Sequence, residues 1–377
     1  MTRKILEQAY AAETEFLALL AELVAHESPS SEVTALNALA DRLQALLEER
    51  GFTTTRHARA GAGDIVAGHL AGGNGPSTLI LCHYDTVWPL GTLATMPWRR
   101  DGDKVYGPGA LDMKAGIANA LTAVALAERM GLPLAGAVTL LLTSDEEVGS
   151  HHSRELIEEL AEKHDRVFVM EPGRDDGALK VGRKGVGDFK LHLKGRSAHA
   201  GNNPSDGASA LRELAHMLLF VEDLADNVMG TSVNVTTARA GFATNVIAEE
   251  AVASVDVRVL KASEAERITQ AINDYTPRDS RVTLTVTGGL NRPPMESTPQ
   301  NMALYETAVT VLADMGLALE GSVVGGGSDG NFTSALGVPT LDGLGSAGSG
   351  PHARDEHIRV KETLERVALI TGLLTRA

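Results

Sequence analysis

Residues 78–87 read Thr-Leu-Ile-Leu-Cys-His-Tyr-Asp-Thr-Val, an apolar run that stops on a histidine and an acid. Thr78 to Cys82 have the composition of a strand covered on both faces. Similar runs lie at residues 64–70, 137–143 and 166–170, with helical periodicity at 113–130 and 151–163 between them. That alternation predicts an α/β fold, a mixed sheet flanked by helices. Open α/β sheets place their sites beyond the carboxyl ends of the strands, which is where His83 and Asp85 fall.

Toward the N-terminus, Phe16, Leu17, Leu20, Leu23 and Val24 are interrupted by Glu13, Glu15 and Glu22, the pattern of an amphipathic helix rather than a secretory h-region. Residues 28–31, Ser-Pro-Ser-Ser, offer caps for a second helix through Val33, Leu36, Leu39, Leu43 and Leu46, which Gly51 stops. From Val186 the grammar changes to strand (186–195), helix (204–224), strands (231–238 and 251–260), helix (263–275) and strand (281–287). This is the βαββαβ order of a ferredoxin-like unit. A helix at 301–315, a glycine-rich stretch and a helix at 361–375 read as the first domain resuming. The expected division is therefore 1–182 with 291–377, and an inserted domain at 183–290.

The chain has 377 residues, 43% of them hydrophobic, enough to bury a sizeable core. Its formal net charge of −15 argues against nucleic acid and anionic membrane surfaces as partners, and for a small molecule. Cys82, the single cysteine, excludes an internal disulfide and a thiolate metal cluster, and reads as a small buried hydrophobe. No run approaches the roughly 20 apolar residues that span a bilayer. A cytoplasmic protein is expected.

The chemistry-bearing residues recur at strand ends. In an extended segment i and i+2 point the same way, so Asp85 can orient the His83 ring. Asp112, in the glycine turn 107–114 (Gly-Pro-Gly-Ala-Leu-Asp-Met-Lys), is either a helix cap or a bridging ligand. Asp145, Glu146 and Glu147 follow the 137–143 run and are either a solvated loop or a cation site. Glu171 ends the 166–170 run, and His352 lies in a flexible segment, Gly-Ser-Gly-Pro-His, at 348–352. Two histidines with several carboxylates suit a pair of divalent cations bound through nitrogen and oxygen. Such a pair needs a bridging carboxylate, a shared water or hydroxide, and a further carboxylate that takes the proton.

These segments resemble the di-zinc exopeptidase family that contains glutamate carboxypeptidase, acetylornithine deacetylase, succinyl-diaminopimelate desuccinylase and aminoacylase, over nearly the whole chain. The resemblance implies two zinc ions per chain, with cobalt or manganese as substitutes. It implies that His83 and Glu171 complete one metal's shell, Glu147 and His352 the other's, and that Asp112 bridges. Glu146 would be the general base that becomes the acid to the leaving amine, and Asp85 would hold His83. The inserted domain would be a lid through which the protein forms a symmetric homodimer, and its His199, in the segment 195–201, would reach the partner subunit's site and stabilise the oxyanion there. Asn245 and Arg292 resemble substrate-binding positions, and a planar guanidinium can also hold a carboxylate by two parallel hydrogen bonds. The plainer reading of Arg292 is a surface arginine before two prolines. Gly327, within the glycine run 325–330, either lets backbone approach the substrate or is only a flexible turn. His151 and His152 have no assigned role. Lys180, Arg183 and Lys184 either add positive charge near the site or lie on a wet strand face.

The implied function is a metal-dependent exopeptidase acting on a small peptide or N-acyl amino acid with a free carboxylate, preferentially releasing C-terminal glutamate. The alternative within the family is an N-acyl amino acid deacylase. Two rivals come from other classes. Residues 326–330, Gly-Gly-Ser-Asp-Gly, also fit the Gly-x-Ser-x-Gly elbow of serine hydrolases, with Ser328 as nucleophile. A metal-free family fold would instead be a scaffold protein.

Overall fold

The computed structural model describes residues 2–376, which divide into two compact units. Among these residues the larger runs up to Gly182 and takes in Ser297–Val324 and everything from Ser328 onward, and the smaller comprises Arg183–Glu296 and Gly325–Gly327.

The larger unit is built on a six-stranded mixed sheet ordered Thr53–His57, Ile65–Leu70, Val138–Thr143, Thr78–His83, Arg166–Val169, Thr340–Leu341. Its last four strands run parallel and the first two are antiparallel additions at one edge. Every residue of Val138–Thr143, Thr78–His83 and Arg166–Val169 is buried, because helices cover both sheet faces and no position needs to be polar. The larger core joins Leu39 and Leu43 of the helix Val33–Glu48, Leu121 and Leu126 of Ala115–Arg129, and Val367 and Ile370 of Val360–Thr375. A second cluster places Leu156 and Ile157 of Arg154–Ala161 against Leu79, Leu141 and Val167. Ala110–Arg129 has the length and composition of a membrane-crossing segment, but its backbone is not helical at Asp112 and Met113 and the regular helix covers only Ala115–Arg129. Of its apolar window 89% is buried inside the protein.

The smaller unit has the order strand, helix, strand, strand, helix, strand: Gly185–Lys194, Ala210–Glu222, Ser232–Ala240, Glu250–Val259, Ala262–Asn273 and Thr283–Arg292. Its strands form an antiparallel sheet in which Gly185–Lys194 is flanked by Glu250–Val259 and Thr283–Arg292. Phe189, Leu191 and Leu193 alternate with exposed residues along the central strand, and they face the helices through Leu214, Met217 and Ile268. Gly325–Gly327 belongs to this unit because the Arg183 guanidinium donates to the carbonyls of Gly326 and Gly327 at 3.2 and 3.1 Å.

Two local expectations differ from the structure. No serine of residues 28–31 caps Val33–Glu48. Glu32 occupies the N-cap without a side-chain bond, because the serine segment pairs instead with the loop beyond His83. Ser28 Oγ donates to the Tyr84 carbonyl at 2.7 Å, and Pro29 bridges to Thr86. The helix expected from residue 113 starts at Ala115, with Lys114 at its N-cap. Asp112 therefore does not cap it, since Asp112 and Met113 lie outside helical φ/ψ.

Candidate metal centre

Three neighbouring parallel strands end nearly level. His83 pairs with Thr143, and Leu81 pairs with Val169, so His83, the acids after Thr143 and Glu171 after Val169 emerge at one end of the sheet. Glu171 can sit there because its neighbours lack side chains: a Cβ on Gly116 or Gly345 would lie 2.1 or 2.2 Å from the Met170 carbonyl oxygen. Asp112 reaches the same place from the irregular turn Ala110–Lys114, entered through Gly109 at φ +69°. His352 itself adopts φ +61°, a left-handed conformation that costs a non-glycine residue about 1 kcal/mol or more and recurs at functional sites.

The two carboxylate oxygens of Asp112 serve different histidines. His83 Nε2 is 3.2 Å from Asp112 Oδ1 and 3.3 Å from Glu171 Oε1. His352 Nε2 is 3.4 Å from Asp112 Oδ2 and 3.2 Å from Glu147 Oε2. Ligand bonds of ~2.0–2.1 Å in a tetrahedron put neighbouring donor atoms about 3.3 Å apart, so all four separations fit a tetrahedral edge. Glu147 Oε1 is buried with no hydrogen-bond partner, an orphan that a cation would satisfy. Glu146 offers an oxygen within 4.8 Å of donor atoms of His83 and Glu171.

The electrostatics point the same way. Burial alone would lower the His83 imidazole, yet Asp112, Asp85 and Glu171 hold it well above its ordinary value. Hydrogen bonds to Asp112 and Glu147 push His352 up to about 10. Burial raises the Glu147 carboxyl, which shows how poorly the site tolerates another bare anion. The cluster favours positive charge wherever its imidazoles face its carboxylates, and its donors are nitrogen and oxygen without sulfur.

Asp85 ties the two halves of the cluster together. Fully buried, it accepts from Glu146 N at Oδ1 and from Glu147 N at Oδ2, both at 3.2 Å. His83 Nδ1 lies 3.4 Å from Asp85 Oδ1 and 3.0 Å from the Asp85 carbonyl, so the backbone oxygen is the better acceptor for the ring. Ser30, one of the cap candidates in residues 28–31, instead donates to Asp85 Oδ2 at 2.7 Å. Asp145, the first of the three adjacent acids, turns away and accepts from His152 N at 2.6 Å. His151 and His152 lie exposed in the turn before Arg154–Ala161.

In the smaller unit, His199 Nδ1 accepts two backbone amides, Gly201 N and Asn202 N, each at 3.1 Å. That leaves the neutral ring's proton on Nε2, an exposed donor. The histidine loop pairs with the Asn245 segment: Ala200 N donates to the Asn245 carbonyl at 2.9 Å, and His199 bridges to Val246. Arg292 ends the strand Thr283–Arg292 and is only 5% exposed, which sets aside its reading as a surface arginine. Gly327 covers its stem; a Cβ there would meet Arg292 Cδ at 2.9 Å.

Ser328 does not form a nucleophile elbow. Its hydroxyl is fully buried, donates to Asp342 Oδ2 at 2.6 Å and accepts from Gly330 N at 3.1 Å, whereas an elbow displays its hydroxyl at the end of the sheet.

The sequence profile of peptidase family M20/M25/M40 matches residues 79–376. The chain belongs to this family. It is 31% identical over 365 residues to carboxypeptidase G2 of Pseudomonas sp. (strain RS-16), covering 94% of this chain and 87% of the relative. It is 30% identical over 394 residues to a succinyl-diaminopimelate desuccinylase of Alkalilimnicola ehrlichii, covering 96% and 99%. The aminopeptidase PepT of Bacillus cereus superposes with a TM-score of 0.80 at 19% identity over 96% of this chain and 98% of that one, a likeness of fold. The family drawn from the sequence motifs is thus borne out. This member is a metal-dependent hydrolase, an exopeptidase or an N-acyl amino acid deacylase.

Proposed function

We propose that the M20 member described here holds two divalent cations, His83 and Glu171 on one side, His352 and Glu147 on the other, with Asp112 shared. The division of the Asp112 oxygens between the two histidines carries this reading. Charge supports it: the carboxyl groups of Asp112, Glu146, Glu147 and Glu171 converge with buried Asp85 behind them, an excess of acidic groups that divalent ions offset. We take zinc as the native metal because the donors are imidazole and carboxylate. Bound cations of this kind polarise the scissile carbonyl and make a water acidic near neutral pH. Glu146 takes that water's proton and returns it to the leaving nitrogen. By the family resemblance, His199 would offer its Nε2–H to the oxyanion in the partner subunit's site, and Asn245 and Arg292 would bind the substrate, Arg292 through the substrate's carboxylate.

The substrate we favour ends in glutamate, as the likeness to carboxypeptidase G2 suggests; the desuccinylase relatives support the acyl amino acid alternative. Chelator should abolish hydrolysis, and zinc or cobalt should restore it. Glu146→Gln should lose ~10²–10⁴ in kcat with both metals retained, while Glu147→Gln should lose one metal. Retention of both metals by Glu147→Gln, or full activity in verified metal-free protein, would overturn the assignment. Release of glutamate compared with release of acetate or succinate decides the substrate. Arg292→Ala should erase discrimination between a free-acid substrate and its amide, and unchanged discrimination would remove Arg292 from the site.

We also propose that the smaller unit is a lid that mediates a homodimer. Its edge strand Ser232–Ala240 is paired on one side only, and Leu219, Val228 and Phe242 are 66%, 95% and 80% exposed. Sedimentation that gives a monomer at micromolar concentration would refute this.

A further inference from the structure

We propose that Glu356 is a positioning residue for the metal cluster, fixing the turn that presents Asp112 relative to the loops that present His83 and His352. The inference rests on the two-cation reading above.

Glu356 is fully buried, and both of its oxygens accept two donors. Oε1 takes Leu111 N at 2.8 Å and Asp112 N at 3.1 Å. Oε2 takes Gly109 N at 3.0 Å and the Trp88 indole Nε1 at 2.8 Å. A carboxylate has about four lone-pair sites, and here all are in use. Three of the donors are amides of one turn, those of Gly109, Leu111 and Asp112, and the last of them belongs to the proposed bridging residue itself. That amide is separated from the bridging carboxylate only by Cα and Cβ. The turn's own backbone bonds run from Ala110 N to the Gly107 carbonyl and from Lys114 N to the Gly109 carbonyl, and because Asp112 and Met113 are not helical, the buried Glu356 carboxyl group serves the amides of Leu111 and Asp112 between them.

The same carboxylate joins three segments. Trp88 lies three residues beyond Asp85, on the loop that leaves His83. Glu356 lies four residues beyond His352, and its own amide is held by the Ala353 carbonyl at 3.0 Å. The following strand His357–Arg359 pairs with Lys104–Tyr106, which leads into the Asp112 turn. A shift of Glu356 would therefore move Asp112 and His352 relative to each other, which is the spacing two cations require. Lys114, also buried on the same turn, is anchored by donation to the His26 carbonyl at 2.6 Å.

Glu356→Gln separates positioning from mere stability. Its shape is conserved, but its NH₂ must face two N–H donors on whichever side it takes, so two of the four bonds are lost. Partners one shell removed from metal ligands typically cost 10–100-fold in affinity when altered. The measurement is zinc affinity by competition with a chromophoric chelator at 25 °C, beside the visible spectrum of the cobalt-loaded protein and urea unfolding of the metal-free protein. The expected result is a ~10–100-fold loss at one or both sites with a changed cobalt spectrum. A purely structural Glu356 would lower metal-free stability while leaving affinity and spectrum native, and that result overturns the proposal. If the glutamine variant does not fold, Trp88→Phe, which removes one donor, decides: a several-fold loss of affinity supports positioning, native affinity refutes it. Wild-type protein that binds fewer than two ions would instead refute the two-cation reading itself.

Discussion

Replacing Asp85 by asparagine should weaken one metal position and spare the other. The side-chain oxygens of Asp85 are not equivalent. Oδ1 faces Glu146 N and the His83 ring, while Oδ2 faces Glu147 N and the Ser30 hydroxyl. An amide must put its NH₂ on one of these sides. On the first side it would oppose Glu146 N–H and the His83 nitrogen. On the second, Ser30 can rotate its hydroxyl and accept, so only Glu147 N–H is left unmet. The variant therefore keeps its oxygen toward Glu146 and His83, and the damage falls on the backbone of Glu147. One unmet buried N–H costs about 1–3 kcal/mol, equivalent to roughly 5–150-fold at 1.4 kcal/mol per decade. A zinc titration against a chromophoric chelator should show one position weakened by that factor and one near native. Adding His352→Ala should remove only the already weakened ion and leave the other near native, since both changes act on the Glu147 side. Two native affinities in Asp85→Asn, or loss of a second ion on adding His352→Ala, would refute the reasoning.

A pH effect should come from the opposite end of the sheet, just before the strand Arg166–Val169. His164 Nδ1 is 2.6 Å from the Leu160 carbonyl and its Nε2 is 2.8 Å from Thr139 Oγ1, and burial, aided by His69, lowers its pKa from 6.5. The unfolded chain then binds the proton more readily, so this contribution is full above pH 6.5 and is lost as pH falls toward the lowered value; urea midpoints should show it, and His164→Gln should flatten that part of the profile. Gly116→Ala tests the close approach to Met170: helix propensity alone favours alanine by about 1 kcal/mol, but a Cβ 2.1 Å from a carbonyl oxygen should reverse the sign, and a stabilised variant in urea would show that the helix yields freely. Ser328→Ala should hydrolyse substrate at the wild-type rate per folded molecule while losing about 1.5–3 kcal/mol for its bonds to Asp342 and Gly330; fluorophosphonate labelling of Ser328 would contradict this.

The parts of the site that the sequence made legible are those whose placement is local. An apolar run ended by His83, by Glu146 and Glu147, or by Glu171 is a strand with a polar end, and the parallel register does the rest by bringing those ends level. Nothing long-range has to be inferred. The three adjacent acids were ambiguous for the converse reason, because the short turn Glu146–Val148 points neighbouring side chains in different directions, and spacing alone does not tell the inward acids from Asp145. The small sheet that joins Lys104–Tyr106 to His357–Arg359 leaves no signal in the sequence because three-residue strands carry no periodicity.

Outer partners are hidden more deeply. Ser30 looks like a helix cap because serine before an apolar period usually is one, and only the pairing of its segment with Thr86 reveals that its hydroxyl serves Asp85, 55 residues away. Glu356 is 244 residues from the amide of Asp112, and in the sequence it is one acid among several after His352. A metal ligand declares itself by residue type and by its place at a strand end, whereas the residue that holds the ligand declares itself only by the donors that surround it. The geometry that sets how tightly each cation is held therefore lies in contacts whose two halves no sequence window contains, and substitutions there should alter affinity while every residue that touches the metal stays in place.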